Sequence, residues 1–300
     1  MFFLVGPTAV GKTDLAAEVA QRIGAEIISA DAFQIYAGLE ILTAKPDAET
    51  LANVPHHLIG EIPLTQSFDA AQFAALAKSR AEGITRRGRL VIVAGGTGLY
   101  VRALTHGLSE LPSADETLRV ELEATPLAEL QRRYARLDPA GAGQIDLKNK
   151  RRLVRAIEVC LLTGKPFSAF RDLWGKKATV PSGVLLTRDR ADFHTRIDAR
   201  VAQMFERGLL EEIRQVPEIG RTASQVIGLR ETRACLRKDI SQAEAIAQIQ
   251  LATRRYAKRQ LTWFRSEPSF EPLNLTTFPP ASAVDWIVRK ALSSLPSPHV

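Results

Sequence analysis

The 300-residue sequence predicts an α/β fold: a parallel sheet with flanking helices and an inserted, all-helical segment. Three observations predict it. A short apolar run, Phe2-Phe3-Leu4-Val5, leads into a glycine loop, and a helical period follows. Further apolar runs at 25–30 and 89–94 alternate with amphipathic stretches, the pattern of strands joined by crossover helices. From about residue 113 the strand signals stop and helical periods take over, until Val184-Leu185-Leu186-Thr187 reads as a strand returning to the sheet. The division expected from this is a core of 1–112 with 186–300, and a helical insertion of 113–185.

The first loop carries the strongest chemistry. Gly6-Pro7-Thr8-Ala9-Val10-Gly11-Lys12-Thr13 matches G-x-x-x-x-G-K-[ST], and apolar residues at 15, 16, 19, 20 and 23 give the helix that must follow it. Its glycines let backbone N–H groups close on anionic oxygens, and the helix N-terminus adds partial positive charge. Lys12 is placed to reach an outer phosphate, and the Thr13 hydroxyl can ligate Mg2+. The loop therefore binds a phosphate ester, and the surrounding pattern is the P-loop NTPase architecture. The buried strand at 89–94 is followed by Gly95-Gly96-Thr97, where a motor ATPase would carry an acid, and no Asn-Lys-x-Asp guanine-reading motif occurs. Those two absences disfavour a motor ATPase or a GTPase.

Taken in order, the second strand (25–30) delivers Asp31 at its C-terminal end, where ligands of open α/β sheets sit. A carboxylate beside a phosphate site can act as general base, or as a helix cap or outer Mg2+ partner. Gln34 and Tyr36 follow, then a loop-like run through Lys45-Pro46 and Pro55-His56-His57-Leu58-Ile59; the two histidines lack further partners at metal spacing and read as structural. A helix spans 69–87, and the strand at 89–94 ends in a second glycine turn over 95–100. Thr97 and Tyr100 there are either turn and core residues or contacts for whatever approaches that face. Helices are expected within 115–177 (118–123, 127–137 and 150–163), then at 192–216, 223–236 and 242–265. The tail after 266 holds six prolines and one short helix, 283–293.

The net charge is +7, from 40 basic and 33 acidic residues, but it is concentrated. Residues 148–155 and 254–265 each hold five basic residues and no acid, so the rest of the chain is slightly acidic. Arg151, Arg152 and Arg155 crowd one helical turn, with Glu158 available to Arg155. In the second window Tyr256, Trp263 and Phe264 interleave with Arg255, Lys258, Arg259 and Arg265, a spacing suited to stacking on bases and neutralising phosphates. Nucleic-acid contact is expected for at least one window. Cys160 and Cys235 form no C-x-x-C pair, no apolar run reaches the length of a membrane span, and the N-terminus lacks a basic n-region. A reduced, cytoplasmic chain without a signal peptide is expected.

Together, GPTAVGKT at 6–13, DAFQIY at 31–36, TAKP at 43–46, PHHLI at 55–59, GGTGLY at 95–100, RRLVRAIEV at 151–159, RIDARVAQMFERGLLEEI at 196–213 and TRRYAKRQLTWFR at 253–265 resemble the bacterial tRNA dimethylallyltransferases. The resemblance implies transfer of a dimethylallyl group from dimethylallyl diphosphate to the N6 amine of the adenosine 3′-adjacent to the anticodon, adenosine-37, with Mg2+. It implies Asp31 as base, Thr8 and Lys12 as its catalytic companions, residues 6–13 on the diphosphate, and Thr13 on the metal. It also implies tRNA contacts at Asp31, Ala32, Phe33, Gln34, Thr97, Arg119, Arg151, Arg152, Leu153, Val154, Arg155, Lys258, Arg259, Gln260, Trp263 and Arg265. The insertion would clamp the anticodon stem-loop, and a monomer is expected. Two positions depart from the family pattern: Ala32 stands for a serine and Leu229 for a tyrosine. Three rivals stay open on the residues alone. They are a prenyltransferase acting on free adenine nucleotides, a small-molecule kinase, and a non-enzymatic RNA-binding module.

Overall fold

The computed structural model describes residues 1–108, 111–173, 181–216, 218–267 and 269–294. Its strands and helices alternate as the sequence predicts. Strand β1 (Phe2–Val5) enters α1 (Lys12–Ile23), and β2 (Glu26–Ala30) follows. Then come α2 (Ala48–Asn53), β3 (His56–His57), α3 (Ala70–Arg86), β4 (Val91–Gly95) and α4 (Gly98–Thr105). The helical stretch holds α5 (Glu116–Ala124), α6 (Leu127–Leu137), α7 (Pro139–Ala142) and α8 (Lys150–Thr163), closed by a 3-10 turn over Phe167–Leu173. After it come β5 (Ser182–Thr187), α9 (Arg190–Glu206), α10 (Leu209–Gln215), α11 (Leu229–Leu236), α12 (Gln242–Arg265), β6 (Glu271–Asn274) and α13 (Pro280–Ser293).

All six strands are parallel, in the order β3-β2-β4-β1-β5-β6. The chain leaves β1 toward β2 on one side and later returns as β5 on the other, which makes the C-terminal end of β1 a topological switch point. Strands β1, β2 and β4 and the middle of β5 are buried on both faces, so they read as continuous apolar runs: Leu4, Ile27, Ile92, Val184 and Leu186 pack with Val19, Phe193, Ile197, Val284 and Ile287 of the flanking helices.

The chain divides into two compact units, residues 1–105 with 180–300, and residues 106–179. All of β5 thus belongs to the sheet unit. The helical unit has its own core of Leu122, Leu130, Tyr134, Leu153, Val154, Ile157 and Cys160. Two buried acids organise its polar interior. Glu158 accepts from the Asp115 N–H (2.9 Å) and pairs with Arg119 (2.8 Å) and Arg155 (2.5 Å). Asp138 accepts from Tyr134 Oη (3.0 Å), the Gly141 N–H (2.7 Å) and Ser168 through both its N–H (2.7 Å) and Oγ (2.8 Å). Burial alone would raise the Glu158 carboxyl; the two guanidiniums and the Asp115 N–H outweigh it and hold the carboxyl below its usual range.

Several expectations change. The helix expected over 192–216 is two helices, α9 and α10, broken at Gly208, whose φ of 94° is left-handed and ends one helix while starting the next. The helix expected over 223–236 is a 3-10 turn (Ala223–Gln225) and α11, with Gly228 between them at the same φ. Strands β3 and β6 and the short helices α2 and α7 were not expected; each is too short to show a period. The part of the expected helical stretch at 174–177 lies outside the described residues.

Candidate functional site

A cavity of about 530 Å3 opens where β1, β2 and β4 end, and the first glycine loop forms one wall. The loop turns through left-handed backbone at Ala9 (φ 64°) and Gly11 (φ 101°), and α1 begins at Lys12. Gly6 approaches the neighbouring strand so closely that a Cβ there would meet the Leu186 carbonyl oxygen at 2.7 Å. The loop's carbonyls are held from behind: Arg188 Nε donates to Val10 O (2.9 Å) and Arg196 Nε to Ala9 O (3.2 Å). Thr8, Ala9, Gly11, Lys12 and Thr13 line the cavity, while Val10 is buried. Lys12 Nζ donates to Pro7 O at 2.7 Å. Burial lowers the Lys12 ammonium to about 7; Asp31 partly offsets this and Arg200 adds to it.

The second wall is the end of β2. Asp31 lines the same cavity as Lys12 and Thr13. One carboxylate oxygen accepts from the N–H groups of Phe33 (2.9 Å) and Gln34 (3.3 Å), which fixes the side chain. None of the hydrogen bonds among the described residues uses the other oxygen, Oδ2. The Gln34 amide accepts from Ser29 Oγ (3.0 Å) and donates to Ala44 O (3.1 Å), tying the TAKP loop to β2. Lys45 from that loop is buried, lines the cavity and pairs with Glu40 (2.8 Å). Glu212 secures the same loop by accepting from the Ile41 and Leu42 N–H groups at 2.6 and 2.9 Å.

The third wall is a helix face that the sequence reading assigned no role. Arg196, Arg200, Gln203 and Arg207 line the cavity from α9 and its C-terminal end. Their spacing of four, three and four residues is one helical stripe, running beside the buried stripe of Phe193, Ile197, Val201 and Met204. That alternation is the signal that could have found them. The cavity thus sets five cations (Lys12, Lys45, Arg196, Arg200 and Arg207) against Asp14, Asp31 and Asp47, a balance suited to a polyanionic ligand. His56 also lines it; its Nδ1 bonds Val54 O (2.7 Å) and burial keeps its pKa below the usual value.

The remaining residues singled out in the sequence fall into distinct settings. Thr97 Oγ1 accepts from the Ala32 N–H at 3.0 Å, beside Asp31. Phe33 is partly buried. Lys258, Arg259 and Arg265 are exposed on α12, with Arg259 over the Tyr256 ring, and Trp263 packs edge-on against Phe264. Gln260, expected at an RNA surface, is instead buried with its amide engaged: it accepts from the Thr8 N–H (2.9 Å) and donates to Gly96 O (2.9 Å). In the helical unit Arg151 and Arg152 are exposed, and no ion pair among the described residues involves them. Leu153 and Val154, also expected at the RNA, face that unit's core, because α8 turns its apolar stripe inward. Arg119 and Arg155 are committed to Glu158.

Known proteins resemble this chain over most of its length. The family model described as IPP transferase matches residues 34–267. The tRNA dimethylallyltransferase of Anaeromyxobacter dehalogenans (strain 2CP-C) is 44% identical over 275 residues, covering 89% of this chain and 92% of that protein. That of Akkermansia muciniphila is 40% identical over 265 residues, covering 88% and 90%. Among solved structures, a tRNA isopentenylpyrophosphate transferase from Staphylococcus epidermidis superposes with a TM-score of 0.70 at 32% identity, covering 98% of this chain and 99% of its own. A eukaryotic dimethylallyltransferase acting on tRNA gives 0.82 at 26% identity, covering 100% and 81%. A family model matched over residues 34–267 and relatives 40% and 44% identical over most of their length show that this chain belongs to the IPP transferase family.

Proposed function

We propose that this protein transfers a dimethylallyl group from dimethylallyl diphosphate to the N6 amine of adenosine-37 in tRNA, releasing diphosphate. The observation that carries the reading is that Lys12, Thr13 and Asp31 line a single cavity. The C1–O bond of the donor breaks, and its electron pair leaves with the diphosphate. The N6–C1 bond forms, and the displaced N6 proton passes to Asp31 Oδ2. The backbone N–H groups of 9–13, Lys12 and the α9 arginines bind the diphosphate and stabilise the charge growing on its leaving oxygen. Its apolar end would lie toward Ile27, Ile59 and Ala94, which line the same cavity. With donor and acceptor bound, those walls would shield the allylic centre from capture by water.

The donor set suits Mg2+. The Thr13 hydroxyl is a hard oxygen donor lining the cavity, and the phosphate oxygens of the donor would add further hard ligands beside it. The ion would supply Lewis-acid neutralisation of the leaving diphosphate. Thr97 and Ala32 flank Asp31 on the side where the extruded adenine would enter. The exposed cations of α12 and of the start of α8 suit the phosphates of an anticodon stem-loop, the helical unit serving as its clamp. A cytoplasmic monomer fits this role; no described helix is long and apolar enough to cross a membrane.

Purified protein incubated with tRNA, dimethylallyl diphosphate and Mg2+ should yield an N6-prenylated adenosine in the anticodon loop by nucleoside mass analysis. Modification of free adenine nucleotides in preference to tRNA would overturn the acceptor assignment. Replacement Asp31→Asn removes the proton acceptor while keeping the shape. It should lower kcat by about 10²- to 10⁴-fold with tRNA affinity retained, and wild-type turnover would remove Asp31 as base.

A further inference from the structure

Helix α12 touches both halves of the site through one side chain. Gln260 is only 6% exposed and lies between two loops that begin at different strands. Its Oε1 takes the Thr8 N–H, in the glycine loop after β1, and its Nε2 gives a hydrogen bond to Gly96 O, in the glycine turn after β4. The fit is tight: a Cβ on Gly96 would stand 2.3 Å from Gln260 Nε2 and 2.9 Å from Gly6 O. One turn earlier on the same helix, the Tyr256 hydroxyl lies against the side chains of Thr97 and Gln260. One turn later, the Trp263 ring fills the space above Gly98. Thr97 in turn receives the Ala32 N–H, next to Asp31.

We infer that Gln260 is a positioning residue for group transfer, a brace that fixes the distance between the diphosphate loop and the turn that orients Asp31 and the incoming amine. The inference rests on the roles proposed above for the loop and for Asp31. Each half of the site is built by its own residues: the loop by its backbone and Lys12, the acceptor side by Asp31 and Thr97. Gln260 contributes to neither ligand directly. It sets their separation. An in-line displacement is sensitive to that separation, since a misplacement of about 1 Å costs on the order of 100-fold in rate.

The test is a split between kcat and KM. Gln260→Met keeps the volume and apolar stem and removes the side-chain hydrogen bonds to Thr8, Gly96 and Tyr256; Gln260→Glu keeps the acceptor for Thr8 and loses the donor to Gly96. Gln260→Met should lower kcat by about 10- to 100-fold with both substrates saturating, while KM for prenyl diphosphate and for tRNA each stay within about threefold. Gln260→Glu should fall between Met and wild type. A kcat within twofold of wild type for Gln260→Met overturns the proposal, as does a rise in KM for the prenyl diphosphate alone. Should the Met variant unfold, the Glu variant decides on the same criteria, with its thermal midpoint measured alongside. Lys12→Ala is assayed in parallel: undiminished inhibition by inorganic pyrophosphate in that variant would remove the loop assignment itself, whatever Gln260 does.

Discussion

At the scale of single residues, the ionisation of Lys12 bears on the diphosphate binding proposed for the loop. Its ammonium is held near 7 by burial, so in the free protein it is largely charged below that pH and neutral well above it. A bound diphosphate favours the charged form and raises the value. Affinity for pyrophosphate should therefore fall as pH rises from about 7 toward 9, because binding must then take up a proton. Lys12→Arg stays charged throughout. Pyrophosphate inhibition measured over that range should weaken more for wild type than for Lys12→Arg, the ligand's own titration being common to both. Equal slopes would show that Lys12 does not titrate on binding. The loop and Asp31 were legible in the sequence because strand, glycine pattern and helix stand in an unbroken stretch of chain. Arg196 and Arg200 were not, because they face the loop across nearly two hundred residues, and only the register of α9 brings them there. Gln260 was misread for a related reason: it sits in a basic window, but its side of the helix points inward.

At the scale of elements, α8 shows how one helix divides its work. Leu153, Val154 and Ile157 enter the core of the helical unit, Glu158 gathers Arg119 and Arg155, and Arg151 and Arg152 remain outside. Replacing Glu158 by Gln leaves two guanidiniums without their acid and should destabilise this unit by about 3 kcal/mol, the low end for a broken buried pair because both arginines keep some exposure to water. The folded-state pKa of Glu158 lies below its unfolded value, so its contribution is present above about pH 4.3 and is lost as pH falls through the folded value. Urea unfolding at neutral pH and near pH 3 should show a smaller acid penalty for Glu158→Gln than for wild type. The run of helices was readable from apolar period alone. The use of Arg155 was half readable, since Glu158 stands three residues on; the arrival of Arg119 depends on α5 packing against α8, which no local pattern states.

At the scale of the whole molecule, the chain's excess charge is concentrated on two helices, α8 and α12, and the structure sorts which of those cations are free. Arg155 is tied to Glu158 and Arg254 to Asp198, whereas Arg151, Arg152, Lys258 and Arg265 are exposed. The double replacement Arg151→Ala with Arg152→Ala should weaken tRNA binding and reduce the slope of log affinity against log salt by about 1.5 to 2, roughly one unit for each phosphate no longer neutralised. An unchanged slope would remove these residues from the RNA surface. The α/β class and the glycine-loop core followed from the sequence; the two outermost strands did not, one being two histidines and the other a run of Glu271, Pro272 and Asn274 around a single buried leucine. Their make-up has a consequence of its own. A parallel sheet offers unpaired amides along each margin, an invitation to further strands or to neighbouring molecules. Here one margin is a two-residue strand, and the other carries Pro272, which has no N–H to donate. Both flanks of the sheet are thus poor templates for a further strand.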